Sequence, residues 1–347
     1  DLGADVLKIE RPGSGDETRG WGPPFDDRGE SAYYLAVNRN KLSVAADLAR
    51  AADRELLGRL IADADVVLEN FKPGTLERHG LGARAMLAAH PRLLWCTITG
   101  FGLESARPGY DFVVQAESGW MAITGDAEGS PMKVGVALAD VLAGKDAAIQ
   151  ILAALAGGRR GQRHLSVSLL HSATSALVNV AQNALVTGRE AQRWGNAHPN
   201  LVPYQLFEAA DRPFVIAVGS DAQWLACARA LGLDVLAADT RLATNAGRVQ
   251  ERARVVQAIA ARVRTATAAT WIAALEAAAV PCGVVKPVLE ALQAVQASAL
   301  TGVAPLAPGA VRLPPPQLDA HGTMVRADAW GAFAVARRAR EVGGSSG

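Results

Sequence analysis

Cysteine is scarce: Cys96, Cys227 and Cys282 are the only three in 347 residues, and no C-x-x-C pair occurs among them. An odd, scattered set excludes a disulfide framework and the paired-thiolate zinc sites. With no signal-peptide pattern ahead of them, reduced thiols in a cytoplasmic protein are expected. Charge of one sign is lacking as well, since 35 Lys and Arg face 34 Asp and Glu for a net charge of +1. That balance gives no support for a nucleic acid or a membrane surface as partner. No apolar run reaches the ~18 residues that a membrane span needs. Metal-binding and P-loop signatures are absent, and the glycines of Pro12–Asp16 do not form G-x-G-x-x-G, so neither a metal nor a dinucleotide is expected.

What is present is apolar sequence in quantity: half of the residues are hydrophobic. This supplies a buried core without a disorder signature, and the length suggests about two domains. Val6–Glu10, Leu42–Leu48, Ala64–Glu69, Leu93–Thr99 and His164–Ser168 read as strands. Helical patterns stand between them, notably over Asp53–Asp63. Alternating strands and helices predict an α/β fold with a doubly wound parallel sheet. The chain starts in the middle of such a unit, so a further strand and helix are expected upstream.

In such sheets ligands bind beyond the carboxyl ends of strands, where Arg11, Asp47-Leu48, Asn70-Phe71-Lys72 and Gly100-Phe101-Gly102 all fall. Leu169 to about Val186 reads as one long helix. After Gly195 an extended connector, His198–Tyr204, leads to a second, smaller α+β domain. The expected division is a large domain over 1–195, a small domain with its connector over 196–300, and a tail over 301–347 that returns to the large domain.

The segment Lys133–Asp146 (KVGVALADVLAGKD) runs from an extended stretch into a helix that stops at Gly157-Gly158. Val141, Leu142, Ile149, Leu152 and Leu155 recur at helical spacing and predict its core face. Asp140 stands at the junction. One reading is an N-cap. The other is a carboxylate nucleophile kept ionised by the positive end of the helix dipole. The residues by themselves leave both open.

Several stretches together resemble family III CoA-transferases, a group that includes formyl-CoA:oxalate and carnitine CoA-transferases and the α-methylacyl-CoA racemases. They are DLGADVLKIERPGSGD at Asp1–Asp16, ENFKPGTLERHGLG at Glu69–Gly82, ITGFG at Ile98–Gly102 and PGYDFVVQ at Pro108–Gln115. The Asp140 segment, HPNLVPYQLF at His198–Phe207 and VPCGVV at Val280–Val285 complete the set in the expected order.

The resemblance implies a Rossmann-like large domain, a small domain, and two identical chains interlocked as a homodimer. It implies Asp140 as nucleophile, forming an aspartyl anhydride and then an aspartyl-CoA thioester. Coenzyme A, delivered as an acyl-CoA, would lie against Arg11, Ala46, Asp47, Leu48, Asn70, Phe71, Lys72, Arg78 and Tyr110, with a small carboxylic acid as second substrate. The racemase branch is expected to carry a histidine where this chain has Tyr110, so a transferase is the favoured expectation. A racemase-like enzyme and a truncated, non-catalytic CoA-binding relative are the alternatives.

Overall fold

Strand formation follows the β-branched and aliphatic runs closely. β1 (Val6–Glu10) pairs in parallel with β2 (Lys41–Ala45). β3 (Val66–Glu69), β4 (Leu94–Thr99) and β5 (His164–Ser168) form a second parallel set in that order. The structure, a computed structural model, describes residues 1–158, 161–293, 295, 297–299, 302–303 and 313–343. Of the predicted tail, 301, 304–312 and 344–347 lie outside the described residues.

The chain divides into two compact units. One comprises 1–110, 139–172 and 288–347, and the other 111–138 and 173–287. This division differs from boundaries at 195 and 300: the stretch before Asp140 and the stretch after Ser172 both group with the second unit, and 288–300 groups with the first. A linear reading places boundaries at composition changes, whereas here the chain passes between units at Tyr110-Asp111 and at the start of the aspartate helix.

In the first unit, β1 to β5 pair only in parallel, and a short antiparallel pair, Ala297–Ser298 with Gly302–Val303, lies in its C-terminal part. Leu42 and Val44 on β2 are fully buried against Leu56, Leu57 and Leu60 of the Ala51–Ala62 helix. Val325, Ala332 and Phe333 from the C-terminal helices join the same cluster. Burying each such side chain contributes roughly 1.5–3 kcal/mol. Trp95 of β4 centres a neighbouring cluster, and Ile61, Leu76 and Met86 touch both clusters, which ties the two strand sets together.

The second unit is built around an antiparallel sheet of β6 (Tyr204–Glu208), β7 (Pro213–Ala217) and β8 (Cys282–Val284). Phe214, Ile216, Trp224, Leu231, Val255, Ile259 and Leu275 form its core. Arg248 is buried with them. Its Nε and Nη1 donate to the carbonyls of Val202 (2.8 Å) and Leu242 (3.0 Å), and Nη2 pairs with Asp221 at 2.9 Å. The predicted extended connector contains the first residue of β6, because the His198 N–H bonds the Tyr204 carbonyl at 2.9 Å and turns the chain into the sheet.

Two helices differ from expectation. The predicted long helix from Leu169 is two, Leu169–Ser175 and Asn179–Thr187, separated at Val178 with φ 45°. Ser172, Thr174 and Ser175 weaken that stretch as helix, since short hydroxyl side chains compete for backbone partners. The helix of Asp140 spans Leu138–Ala156, and its buried face is Ala139, Ala143 and Ala147. Val141, Ile149 and Leu152 are 46%, 63% and 51% exposed in the single chain, so the predicted core face is not the one this chain buries.

Candidate active site

The carboxyl end of β1 is held by ions. Glu10 is buried and accepts from Arg19 Nε and Nη2, both at 2.8 Å, and from Ser43 Oγ at 2.6 Å. Arg19 also reaches Glu30 at 2.7 Å and the Tyr34 hydroxyl at 2.6 Å. Burial works to raise the Glu10 pKa, but the bonds from Arg19 and Ser43 outweigh it and hold the carboxyl below its usual range. The loop that follows is pinned by Lys8 on Asp16 at 2.6 Å. Burial opposes ionisation of Asp16, yet Lys8 and Thr18 bring its pKa down to about 2. Arg11 projects from this fixed strand end and is exposed.

β2 delivers its own end beside that of β1. Glu10 is in register with Ala45, and the Ala46 N–H donates to the Glu10 carbonyl at 2.9 Å. Ala46 is buried, and Asp47 and Leu48 are half-buried. The Asp47 carboxylate accepts from Ala49 N at 2.8 Å, and its own N–H donates to buried Asp53 at 3.0 Å. Its side chain therefore shapes the turn, and its N–H anchors the loop.

The second parallel set presents a comparable edge. Asn70, Phe71 and Lys72 follow β3 and are exposed; Phe71, at 47%, is no core plug. Glu69 fixes the turn by accepting from Phe71 N at 2.8 Å. Arg78 sits exposed on the short helical turn Glu77–His79, with Nη2 3.4 Å from Thr75 Oγ1. Leu76, two residues earlier, anchors that turn in the core.

After β4, Gly100 and Gly109 meet backbone to backbone. A Cβ on Gly100 would lie 2.5 Å from the Gly109 Cα, a distance no real side chain tolerates. This contact explains Gly100 of ITGFG and Gly109 of PGYD: only hydrogens fit between the two segments. It sets Tyr110, exposed, immediately beyond. The Gly100 carbonyl is also bonded by Leu170 N at 3.1 Å and Ser168 Oγ at 3.3 Å.

Asp140 is exposed in the first turn of the Leu138–Ala156 helix, as its third residue. It is inside the helix and not its cap, which corrects the junction reading. The dipole argument survives, because its favourable effect on a carboxylate extends through the first turn. Further along, Asp146 accepts from Ser172 Oγ at 2.6 Å and fastens the helix.

Asp140 and all nine residues expected to hold CoA belong to the first unit. The strand register brings Arg11 together with Ala46–Leu48, and Asn70–Lys72 beside the end of β4. No direct contact joins these two groups among the bonds described above.

One residue escaped assignment from sequence. Gln115, fully buried, donates to Asp111 Oδ2 at 2.6 Å and to the Val136 carbonyl at 3.2 Å, and accepts from Val134 N at 2.8 Å. It fixes the extended residues that lead into the aspartate helix. The signal available in sequence was the PGYDFVVQ stretch, where a lone Gln follows an apolar run at helix spacing from Asp111.

Comparison with known proteins places these features in context. The family described as CoA-transferase family III matches residues 1–330. A succinate–glutarate CoA-transferase of Agrobacterium fabrum is 40% identical over 300 residues, covering 84% of this chain and 75% of that protein. A mouse succinyl-CoA:glutarate CoA-transferase is also 40% identical, over 82% of this chain and 66% of its own length. An acetyl-CoA:oxalate CoA-transferase of Acetobacter aceti is 35% identical, over 86% and 78%. Among solved structures, a CAIB/BAIF family protein from Brucella suis aligns with TM-score 0.83 and 37% identity, covering 95% of this chain and 93% of its own. With its parallel strand ends, its aspartate helix and a match across nearly its whole length, the chain belongs to CoA-transferase family III.

Proposed function

We propose that this protein moves CoA between two carboxylic acids through covalent intermediates on Asp140, with dicarboxylates of the succinate and glutarate type as donor and acceptor. The observation that carries the reading is the position of Asp140 in the first helical turn within a chain that matches the family from residue 1 to 330. The acid class follows the relatives at 40% identity, which are named for succinate and glutarate.

The chemistry balances without an added proton or water. An Asp140 oxygen attacks the thioester carbonyl of the acyl-CoA, the C–S bond breaks, and CoA leaves as thiolate. The mixed anhydride is then attacked at the aspartyl carbonyl by that thiolate. The first acid departs as carboxylate, leaving an aspartyl-CoA thioester. The acceptor carboxylate attacks the same carbonyl, expels the thiolate and forms a second anhydride. Return of the thiolate to the acceptor's acyl carbon releases the new acyl-CoA and restores Asp140. A single covalent carboxyl lets CoA change partners without hydrolysis, provided water is kept out.

In this reading Arg11 and Arg78 hold phosphates, since exposed planar guanidinium groups suit phosphate oxygens. Phe71 offers its face to the adenine or pantetheine, with Asn70 and Lys72 beside it. Ala46, Asp47 and Leu48 contribute chiefly backbone, the Asp47 carboxylate being engaged in its own turn. By the family resemblance, Tyr110 stands where a racemase of this superfamily would carry its histidine, and a phenol does not supply the acid/base imidazole that racemase chemistry uses.

We further propose a homodimer of interlocked chains. Val141, Ile149 and Leu152 on the aspartate helix are exposed in one chain, and a helix apolar on more than one face requires a second surface. The free thiols Cys96, Cys227 and Cys282 suit a reducing cytoplasm. Among the described residues no helix is long and apolar enough to cross a membrane.

The deciding experiment is incubation with succinyl-CoA in the absence of acceptor, followed by hydroxylamine trapping and peptide mass analysis. A mass change is expected on the peptide containing Asp140. A 2-methylacyl-CoA in deuterated water should keep its α-hydrogen; deuterium uptake with no label on Asp140 would favour racemase chemistry.

A further inference from the structure

We propose that a cavity at the amino-terminal edge of β2 binds a small tetrahedral oxyanion, inorganic phosphate or a phosphomonoester group, through Arg28, Lys41 and His321. The cavity has a volume of about 190 Å³, and its lining includes these three residues with Gln317 and the Pro314–Pro316 wall. Lys41 opens β2, while Ala46–Leu48 follow its far end. His321 is bonded at Ser43, so at ~3.3 Å per strand residue the cavity lies between about 10 Å (Ser43) and about 16 Å (Lys41) along β2 from Ala46, away from the strand ends proposed for CoA.

Each of the three donors arrives with unused capacity. Arg28 is oriented by its Nε bond to Asp26 at 2.9 Å, and its Nη2 is buried without any acceptor. Lys41 donates to the neutral Asn38 Oδ1 at 3.0 Å and, among the described residues, has no carboxylate within ion-pair distance. Burial first, and then Lys8 and Arg39, push its pKa down to about 8 against the opposing pull of Asp16 and Glu10. His321 Nδ1 accepts from Ser43 N at 3.2 Å, so the proton of the neutral ring is on Nε2. Burial lowers its pKa and favours that neutral form.

A buried donor without an acceptor is costly, and an ammonium with no counter-charge more so. An anion would relieve both. Asp26 already occupies Arg28 Nε, so the side-by-side fork that grips a flat carboxylate is not open. Three single donors from three separate segments suit instead the three oxygens of a tetrahedral group.

Isothermal titration of the full chain with inorganic phosphate, and in parallel with succinate, at constant ionic strength tests the assignment. One saturable phosphate site per chain is expected, at least tenfold tighter than succinate. Lys41→Gln and Arg28→Gln should each weaken it at least tenfold, Lys41→Arg should largely retain it, and Arg11→Gln should leave it unchanged. Circular dichroism separates lost binding from lost folding, and His321→Gln serves where another variant fails to fold. Absence of saturable phosphate binding in the unaltered chain would overturn the proposal. So would equal affinity for succinate, or loss of phosphate binding in Arg11→Gln with retention in Lys41→Gln, which would place the phosphate at the CoA edge.

Discussion

Two helices bury residues at the same spacing and do opposite things with them. The Arg252–Val263 helix buries Val255, Ile259 and Val263, each four residues from the last, in the core of the second unit. The Leu138–Ala156 helix buries Ala139, Ala143 and Ala147 at that same interval, and leaves Val141, Ile149 and Leu152 outward. The first helix spends its large side chains on its own unit and is complete within one chain. The second fully buries only alanine methyl groups and leaves several of its large side chains exposed in the single chain. Its first turn carries Asp140. Spacing alone does not distinguish a helix that buries its large side chains from one that leaves them exposed; the size of the residues on each face does.

The contrast is most sharply tested at Asp140. Asp140→Asn should lower CoA transfer by at least ~10³-fold, because an amide cannot form the anhydride. It should change stability by less than ~1 kcal/mol, the scale of a charge in a first helical turn. Acyl exchange assays beside denaturant unfolding check both; a variant that keeps substantial transfer removes the nucleophile from the proposal.

Next in size is the pair Ile259→Ala and Ile149→Ala. The first opens a cavity in a closed core and should cost ~2–5 kcal/mol. The second removes an exposed side chain and should alter the unfolding of an isolated chain by no more than ~0.5 kcal/mol. Ile149→Asp should instead shift the mass seen by light scattering toward the monomer. Equal destabilisation by the two alanine variants would break the comparison.

Adding bulk to the small face gives a third, intermediate effect. Ala143→Leu should destabilise the first unit by ~1–3 kcal/mol through overpacking, read as a lower midpoint in urea. The smallest effect concerns the loop after Arg11. The folded pKa of Asp16, about 2, lies below its ordinary 3.8. The ionised form is thus favoured by folding: the stabilisation is complete above pH 4 and is lost as pH falls from about 4 toward 2. Asp16→Asn should flatten the acid limb of the stability profile in that window.

Much of this was legible in the chain itself. β1 and β5 coincide with their predicted runs, and β2 to β4 lie within one to three residues of theirs, because alternating or continuous aliphatic runs between turns have few other uses. The glycines of ITGFG and PGYD were visible as motif letters, but their mutual contact was not, since nothing local indicates that Gly100 and Gly109 touch. The break at Val178 and the place of Asp140 inside its helix were missed because local periodicity runs straight across both. Gln115 was passed over since a buried amide is read from its partners, and those lie some 20 residues away at Val134 and Val136.

By itself the sequence determined most element types, the parallel α/β character of β1 to β5 and the candidates proposed for CoA chemistry, which follow from short-range patterning and from motifs kept in order. Only the tertiary structure decided which residues share a unit, which face of the aspartate helix is buried, and where the unpartnered Arg28 Nη2 and the Lys41 ammonium come together. Those depend on contacts between positions far apart in the chain, such as Lys41 with Pro314–His321, and on the volume left between them, which no local pattern encodes.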